Sequence, residues 1–284
     1  MRGELPLRQA GAIGTWFVVL LLLVLVILWL FPHIFLGTVC RPINVKQQAQ
    51  FHSMDAALEL FNAEFDAYPP SDANDSAGQP YCGAMKLAEA LMGKDLLGFH
   101  TRSGFRVDGL DPNGGVPLYP KEPNPANMKA RIGSYLQAQN AQAHRLVEVY
   151  GKGNTGPFRE DLYVLCDTYI RKQASGAKTG MPILYYRADP KGTAHDLDDP
   201  NNPANIYDYR DNLALLKLGV PWNPAGAHPL AEPKRFYLNT KSEKIRDRSV
   251  PYRADTYILI SAGWDGLYGT ADDICNFDWN YREQ

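Results

Sequence analysis

The chain has 284 residues, 29 basic and 31 acidic, for a net charge of −2, with no long block of either sign. That balance speaks against a nucleic-acid binder, because counterion-release binding needs a concentrated basic face. Its 24 glycines and 21 prolines cluster in loops, which also excludes an all-helical bundle.

From the N-terminus, the run Ala12 to Leu36 carries no Lys, Arg, Asp or Glu, and Val18 to Leu30 is almost pure Val, Leu and Ile. Twenty-odd apolar residues at 1.5 Å rise cover the ~30 Å hydrocarbon thickness of a bilayer. Trp16 and Phe17 at one end, with Trp29, Phe31 and Phe35 toward the other, suit interfacial belts. The run predicts a transmembrane helix over 12–36 behind a cytoplasmic tail at 1–11. A cleaved signal peptide would have a shorter apolar stretch, and Gly37-Thr38-Val39-Cys40 fits neither a signal-peptidase site nor a lipobox. Arg2 and Arg8 before the span balance Arg41 and Lys46 after it, so charge alone sets no orientation.

The roughly 245 residues that follow suffice for one large domain with a real core. In Ile43 to Asp66, Phe51, Met54, Leu58, Phe61 and Phe65 recur at steps of 3, 4, 3 and 4, which places them on one helical face. Lys46, Gln50, Asp55, Glu59 and Asn62 take other angles, and Tyr68-Pro69-Pro70 ends the helix. An amphipathic helix is therefore expected over 43–68.

The middle region, 71–250, reads as short elements between loops. Cys82 to Leu97 looks helical, and Asp108 to Asn127 is a loop tract of Asp, Pro, Asn and Gly. Ile132 to Tyr150 fits either a helix or a strand. Leu162 to Ile170 and Ile183 to Arg187 read as strands. A second loop tract, Asp189 to Asn205, leads to a helix around Tyr207 to Leu218, and Pro221 to Pro233 is loop again. Phe236 to Asn239 is expected as a strand. In the last region, 251–284, Thr256 to Ser261 and Ile274 to Trp279 are expected strands. Helix first, then mixed elements, then antiparallel-looking strands argues for an α+β fold.

Of the four cysteines, Cys40, Cys82, Cys166 and Cys275, no two stand at C-x-x-C spacing, which leaves a zinc or iron–sulfur site without support. Their disulfide pairing stays open.

The most informative stretch runs from Ser261 to Ile274. Asp265, Asp272 and Asp273 lie among Gly263, Gly266 and Gly269, between two expected strands. Calcium takes six to eight hard oxygens from carboxylates, carbonyls and hydroxyls. The aspartates supply charge, the glycines let the backbone turn carbonyls inward, and Thr270 adds a hydroxyl or carbonyl. The competing reading is an ordinary hairpin turn, for which Asp-Gly is also the strongest local signal. Paired aspartates seven and eight residues after Asp265 repel one another across a tight loop unless a cation or solvent compensates them.

Other constellations carry little. Ser175-x-x-Lys178 and Lys178-Thr179-Gly180 overlap where a penicillin-recognising site keeps such motifs far apart. His195 with Asp196, Asp198 and Asp199 reads as a solvated loop. Tyr185, Tyr186, Tyr207, Tyr209 and Trp222 read as core aromatics before they read as a sugar platform.

Taken in order, three features resemble a pseudopilin of the type II secretion or type IV pilus class. An apolar helix with an internal proline, Pro32, leads into an amphipathic helix. Ala57-Leu58-Glu59-Leu60-Phe61-Asn62-Ala63-Glu64-Phe65-Asp66-Ala67-Tyr68-Pro69 is similar to the family's segment of the pattern ALxLYxxDxxxYP. Gly263-x-Asp265-Gly266 followed by Asp272-Asp273-Ile274 is similar to the calcium loop of the major pseudopilin, and Gly133-Ser134-Tyr135-Leu136 is faintly like its Gly-Pro-Tyr-Leu strand. The prepilin peptidase motif is absent: Gly11 is followed by Ala12-Ile13-Gly14-Thr15-Trp16, with no Glu.

The resemblance implies a pilin-like α+β fold. A long N-terminal helix, its first half transmembrane, would pack on an antiparallel sheet that carries a large loop-rich insertion. It implies Ca²⁺ held by Asp265, Asp272 and Asp273, with Leu267 and Thr270 as further oxygen donors. It also implies a non-enzymatic structural subunit of a secretion or pilus machine. Such a subunit would sit in a bacterial inner membrane with its C-terminal domain periplasmic, packed on like or related subunits through the N-terminal helix. The alternative is a static membrane-anchored binding or adhesion module on the same scaffold, which the missing processing motif favours. An extracytoplasmic hydrolase lacks a convergent catalytic set.

Overall fold

The computed structural model describes residues 20–24, 44–173, 175–223, 226–245, 248–279 and 281–282. The chain divides into two compact units, Met1–Val45 and Lys46–Gln284. In the first, residues 20–24 are helical, and the rest of the 12–36 segment lies outside the described residues, as do Pro32 and Cys40.

The second unit is built on helix α1, residues 44–65, which carries the expected apolar face: Phe51, Met54, Leu58 and Phe61 are buried and Phe65 is half-buried. Gln50, assigned to the outer face from its angle, is buried as well. Its Nε2 donates to the carbonyls of Asn140 at 3.0 Å and Cys166 at 2.9 Å, while Gln47 Oε1 accepts from the Thr168 amide at 2.8 Å. Two glutamines thus supply partners for buried carbonyls and an amide, groups that are costly to leave unmet. Helix α2, Gly83–Met92, is buried along its whole length, Lys86 and Glu89 included. Lys86 Nζ donates to the carbonyls of Asp72 and Asn74, and Glu89 accepts from the Tyr81 and Ser103 hydroxyls. The α2 N-terminus is capped from afar: Asn212 Oδ1 accepts from the Ala84 amide at 2.9 Å, and its Nδ2 donates to the Tyr185 carbonyl.

Short helices α3 (Pro125–Lys129), α4 (Ala138–Ala141) and α5 (Leu146–Tyr150) follow. They alternate with two antiparallel ladders, β1 (Phe99–His100) on β2 (Arg131–Ile132) and β3 (Ala143–Arg145) on β4 (Tyr163–Leu165). The ambiguous 132–150 segment is therefore both strand and helix in turn. A third ladder pairs β5 (Arg171–Lys172) with β6 (Lys178–Thr179).

The central sheet has three antiparallel strands in the order β7 (Leu184–Arg187), β8 (Tyr257–Ser261), β9 (Ile274–Cys275). Alternate residues serve two apolar layers. Ile183, Tyr185, Tyr257 and Leu259 pack with Phe51, Met54 and Leu58 of α1 and Leu87 and Leu91 of α2. Leu184, Tyr186, Ile258 and Ile260 face the other way, onto Tyr207, Leu230 and Tyr268. With both faces covered, β8 reads as a continuous apolar run. The second layer also takes in α6 (Leu213–Leu216) and α7 (Pro233–Thr240).

Two expectations are overturned here. Phe236 to Asn239 is not a strand but lies inside α7. Pro233 in the first turn fits the helix start, Phe236, Tyr237 and Thr240 then share the buried side, and Thr240 Oγ1 donates to the Phe236 carbonyl at 2.7 Å. The pilin-like fold with a long, half-transmembrane N-terminal helix is also corrected to an α+β fold with small antiparallel sheets. Among the described residues no helix is long and apolar enough to cross a membrane. The physical reason is that α1 has one apolar face only, opposite a surface that exposes Lys46, Gln48, Ala49, His52 and Glu59. The placement in a bacterial inner membrane with a periplasmic domain rested on that span and falls with it.

Candidate metal centre

The turn between β8 and β9 holds every residue singled out for calcium. Its entry is set by Gly263, in the left-handed region at φ 62°, where a Cβ would come within 2.2 Å of the Asp272 carbonyl oxygen. Only glycine lets the two limbs of the loop approach this closely. Behind it, the fully buried Asp167 accepts from Ser261 Oγ at 3.0 Å, and Ser261 Oγ accepts from the Gly263 amide at 3.2 Å. Asp167 Oδ1 also takes the Tyr169 and Met181 amides, and burial pushes its carboxyl up to about 7. On the far limb Trp279 Nε1 donates to the Thr270 carbonyl at 2.8 Å, while the Leu230 amide donates to the Tyr268 carbonyl at 3.0 Å.

Inside the loop the oxygens converge on one hydroxyl. Thr270 Oγ1 lies 2.8 Å from Asp272 Oδ1, 3.2 Å from the Leu267 carbonyl and 3.3 Å from Asp273 Oδ1. The Asp265 carboxyl is within interaction range of both Thr270 and the Asp272 carboxyl. A threonine hydroxyl has one hydrogen, so it satisfies one of these acceptors and leaves the others facing one another. Backbone amides take up part of the charge: Asp265 N donates to Asp272 Oδ2 at 2.9 Å, Leu267 N to Asp265 Oδ1 at 2.7 Å and Gly269 N to Asp273 Oδ2 at 2.7 Å. Burial raises the Asp273 carboxyl well above the usual carboxylate range. Asp265 is raised too, by burial first and then by the Asp272 charge.

Among the described residues no group of three or more His, Cys, Asp or Glu side chains is placed to hold a metal ion. The loop's donor set is mixed, with carboxylates joined by a hydroxyl and a carbonyl about 3 Å apart, and mixed hard-oxygen sets are what calcium takes. The composition of that set suits calcium, but its three aspartates are not gathered into a metal-holding group. Asp265, Asp272 and Asp273 would hold it with the Leu267 carbonyl and Thr270, and the ion would supply the positive charge the converging oxygens lack.

The other sequence candidates fall elsewhere. Ser175 lies in the β5–β6 turn and Lys178 opens β6, both exposed. His195 is buried with Nε2 2.7 Å from the Tyr237 carbonyl, and Asp196 Oδ1 accepts the amides of Asp198 and Asp199, so that quartet shapes a loop. Tyr185, Tyr186 and Tyr207 are core, whereas Trp222 is 39% exposed. Cys82, Cys166 and Cys275 are free thiols.

Sequence reasoning missed Asp167 and Arg171, which reach Ser261 and Gly266 from distant segments and carry no local signal, and it took Trp222 for a core aromatic where the ring lies over Gly266. It also missed a polar cleft of about 330 Å³ whose lining includes Ser71, Arg187, Asp189, Asp211 and Tyr237. No family model, curated protein or solved structure matches the chain.

Proposed function

We propose that the protein is a non-catalytic structural subunit whose C-terminal loop is ordered by Ca²⁺. The observation that carries the reading is the single Thr270 hydroxyl facing the Leu267 carbonyl and the carboxylates of Asp272 and Asp273, with Asp265 beside them. Support comes also from α1, whose apolar face packs on the sheet that holds the loop. In this reading the ion replaces the missing hydrogens, pins β9 to β8 and fixes the surface that the loop offers to like or related subunits. No substrate-turning step is assigned to the chain.

The test is a thermal melt of the full chain in millimolar calcium and again in EDTA. An ion at a hundred times its dissociation constant adds about 2.7 kcal/mol. The melting temperature is expected to rise by several degrees with calcium, and the rise to vanish in an Asp272→Ala, Asp273→Ala double variant. A melt indifferent to calcium reduces the loop to a hairpin turn and removes the reading.

A further inference from the structure

The polar cleft shares no residue with the β8–β9 loop, and its wall is rich in hydrogen-bond acceptors. Its volume of about 330 Å³ falls at the small end of the range for organic ligands. Four prolines line it, Pro70, Pro190, Pro200 and Pro203, and a proline brings no backbone N–H. The side-chain donors of the wall are turned onto the protein itself. Tyr237 donates its hydroxyl to the Tyr207 carbonyl at 2.8 Å, Asn205 Nδ2 donates to Tyr237 Oη at 3.1 Å, and Asn202 Nδ2 donates to Asp196 Oδ2 at 3.1 Å. Arg210 is clamped on Asp208 by Nε at 2.8 Å and Nη2 at 2.6 Å, and Arg187 gives Nη1 to the Tyr68 carbonyl at 3.2 Å. Asp72 stands 3.7 Å from Lys86 Nζ, and Asp189 is exposed with Oδ1 on the Lys191 amide. One buried acceptor stays open. Asp211 is 8% exposed; its Oδ2 accepts from Ser71, whose Oγ accepts in turn from the Arg187 amide at 2.9 Å, and its Oδ1 has no hydrogen-bond partner among the described residues.

We propose that the cleft is a site for a small organic cation whose ammonium group donates to Asp211 Oδ1 while its alkyl part lies among the prolines. An ammonium has three donors and no acceptor, the complement of a wall that presents oxygens and few free N–H groups. With four aspartates against two arginines in its lining, the cleft also favours a cation over an anion. A bare metal ion is a poorer occupant, because among the described residues no three His, Cys, Asp or Glu side chains are placed to hold one. A charge-assisted bond is roughly twice as strong as a neutral one, so the ligand's N–H groups matter as well as its charge. Burial, with Asp208 and Asp72 adding to it, pushes the Asp211 carboxyl up to about 8, against the Ser71 bond and Lys86. The neighbouring Tyr185 and Tyr186 stay neutral, since burial raises both phenols. At neutral pH the incoming ammonium therefore displaces a proton from Asp211, and affinity rises with pH until that carboxyl has ionised. Because the cleft and the calcium loop have no residue in common, either reading stands without the other.

The experiment is titration of the full chain, in EDTA, with n-butylamine and with tetramethylammonium chloride, which carries the same charge and no N–H; calorimetry and ligand-observed NMR give the affinities. Wild type is expected to bind n-butylammonium about tenfold or more tightly than tetramethylammonium. Asp211→Asn, its fold checked by a melting curve, is expected to lose about tenfold or more in n-butylammonium affinity. Asp189→Asn removes an exposed acid of the same cleft and stays within about twofold of wild type. Affinity for n-butylammonium is expected to climb by about tenfold per pH unit below neutrality and to level off above about 8. Equal affinity for the two cations, equal losses in the two variants, or an affinity indifferent to pH would each overturn the proposal and leave only a diffuse attraction of cations to an acidic surface. Absence of n-butylammonium binding at tens of millimolar overturns it outright, whatever the calcium melt shows.

Discussion

Asp211 is a carboxyl held almost out of reach of water at the floor of the polar cleft, 8% exposed, with the Ser71 hydroxyl donating to Oδ2. Burial pushes it up to about 8; the Ser71 bond and Lys86 oppose that shift, and Asp208 and Asp72 add to it. A carboxyl raised above its unfolded value of about 4 favours the fold only while protonated in the native state. Its contribution is full below pH 4 and lost as pH rises through about 8. Asp211→Asn keeps an acceptor for Ser71 and removes the titration. Thermal melts should coincide near pH 4 and separate in favour of the variant by pH 8. Parallel curves across that range would show that Asp211 does not titrate with folding. The same scale explains which site residues were legible. Asp265, Asp272 and Asp273 announce themselves because charge repulsion in a short loop is visible in the sequence. Asp167 and Asp211 do not, since a lone aspartate means nothing until its burial is known.

Elements were legible where one spacing dominated. The 3–4 spacing of Phe51, Met54, Leu58 and Phe61 defined α1, and all four are buried. Leu58, fully buried between α2 and the sheet, should cost about 2–5 kcal/mol when cut to Ala, read from denaturant unfolding at unchanged m-value. A loss below 1 kcal/mol would mean that the helix packs loosely on the sheet. Gln50 escaped because helical angle predicts a facing direction, not whether buried carbonyls wait there. Phe236 to Asn239 misled for a related reason. Four residues carry too little periodicity to separate strand from helix, and the contacts of Phe236 and Tyr237 with the second apolar layer chose the helix.

At the scale of the molecule, β7 and β8 are shared by two apolar layers, so damage to either layer is felt by the same strands. Leu58→Ala on one side and Phe236→Ala on the other should each lower a single unfolding transition of the Lys46–Gln284 unit. Being in separate layers, their effects should add. Two resolved transitions would show that the layers unfold independently.

Local chemistry alone determined the amphipathic face of α1, the continuous apolar run of β8 and the oxygen-rich composition of the β8–β9 loop. Each is a matter of which residues stand within a few positions of one another. The tertiary structure decided the rest: that Thr270 sits at the centre of the loop's oxygens, that Arg171 and Trp222 close over Gly266, that Ser261 ties the loop to Asp167, and that residues 233–240 coil. Those outcomes turn on which distant segments share a buried surface, and no spacing along the chain encodes that.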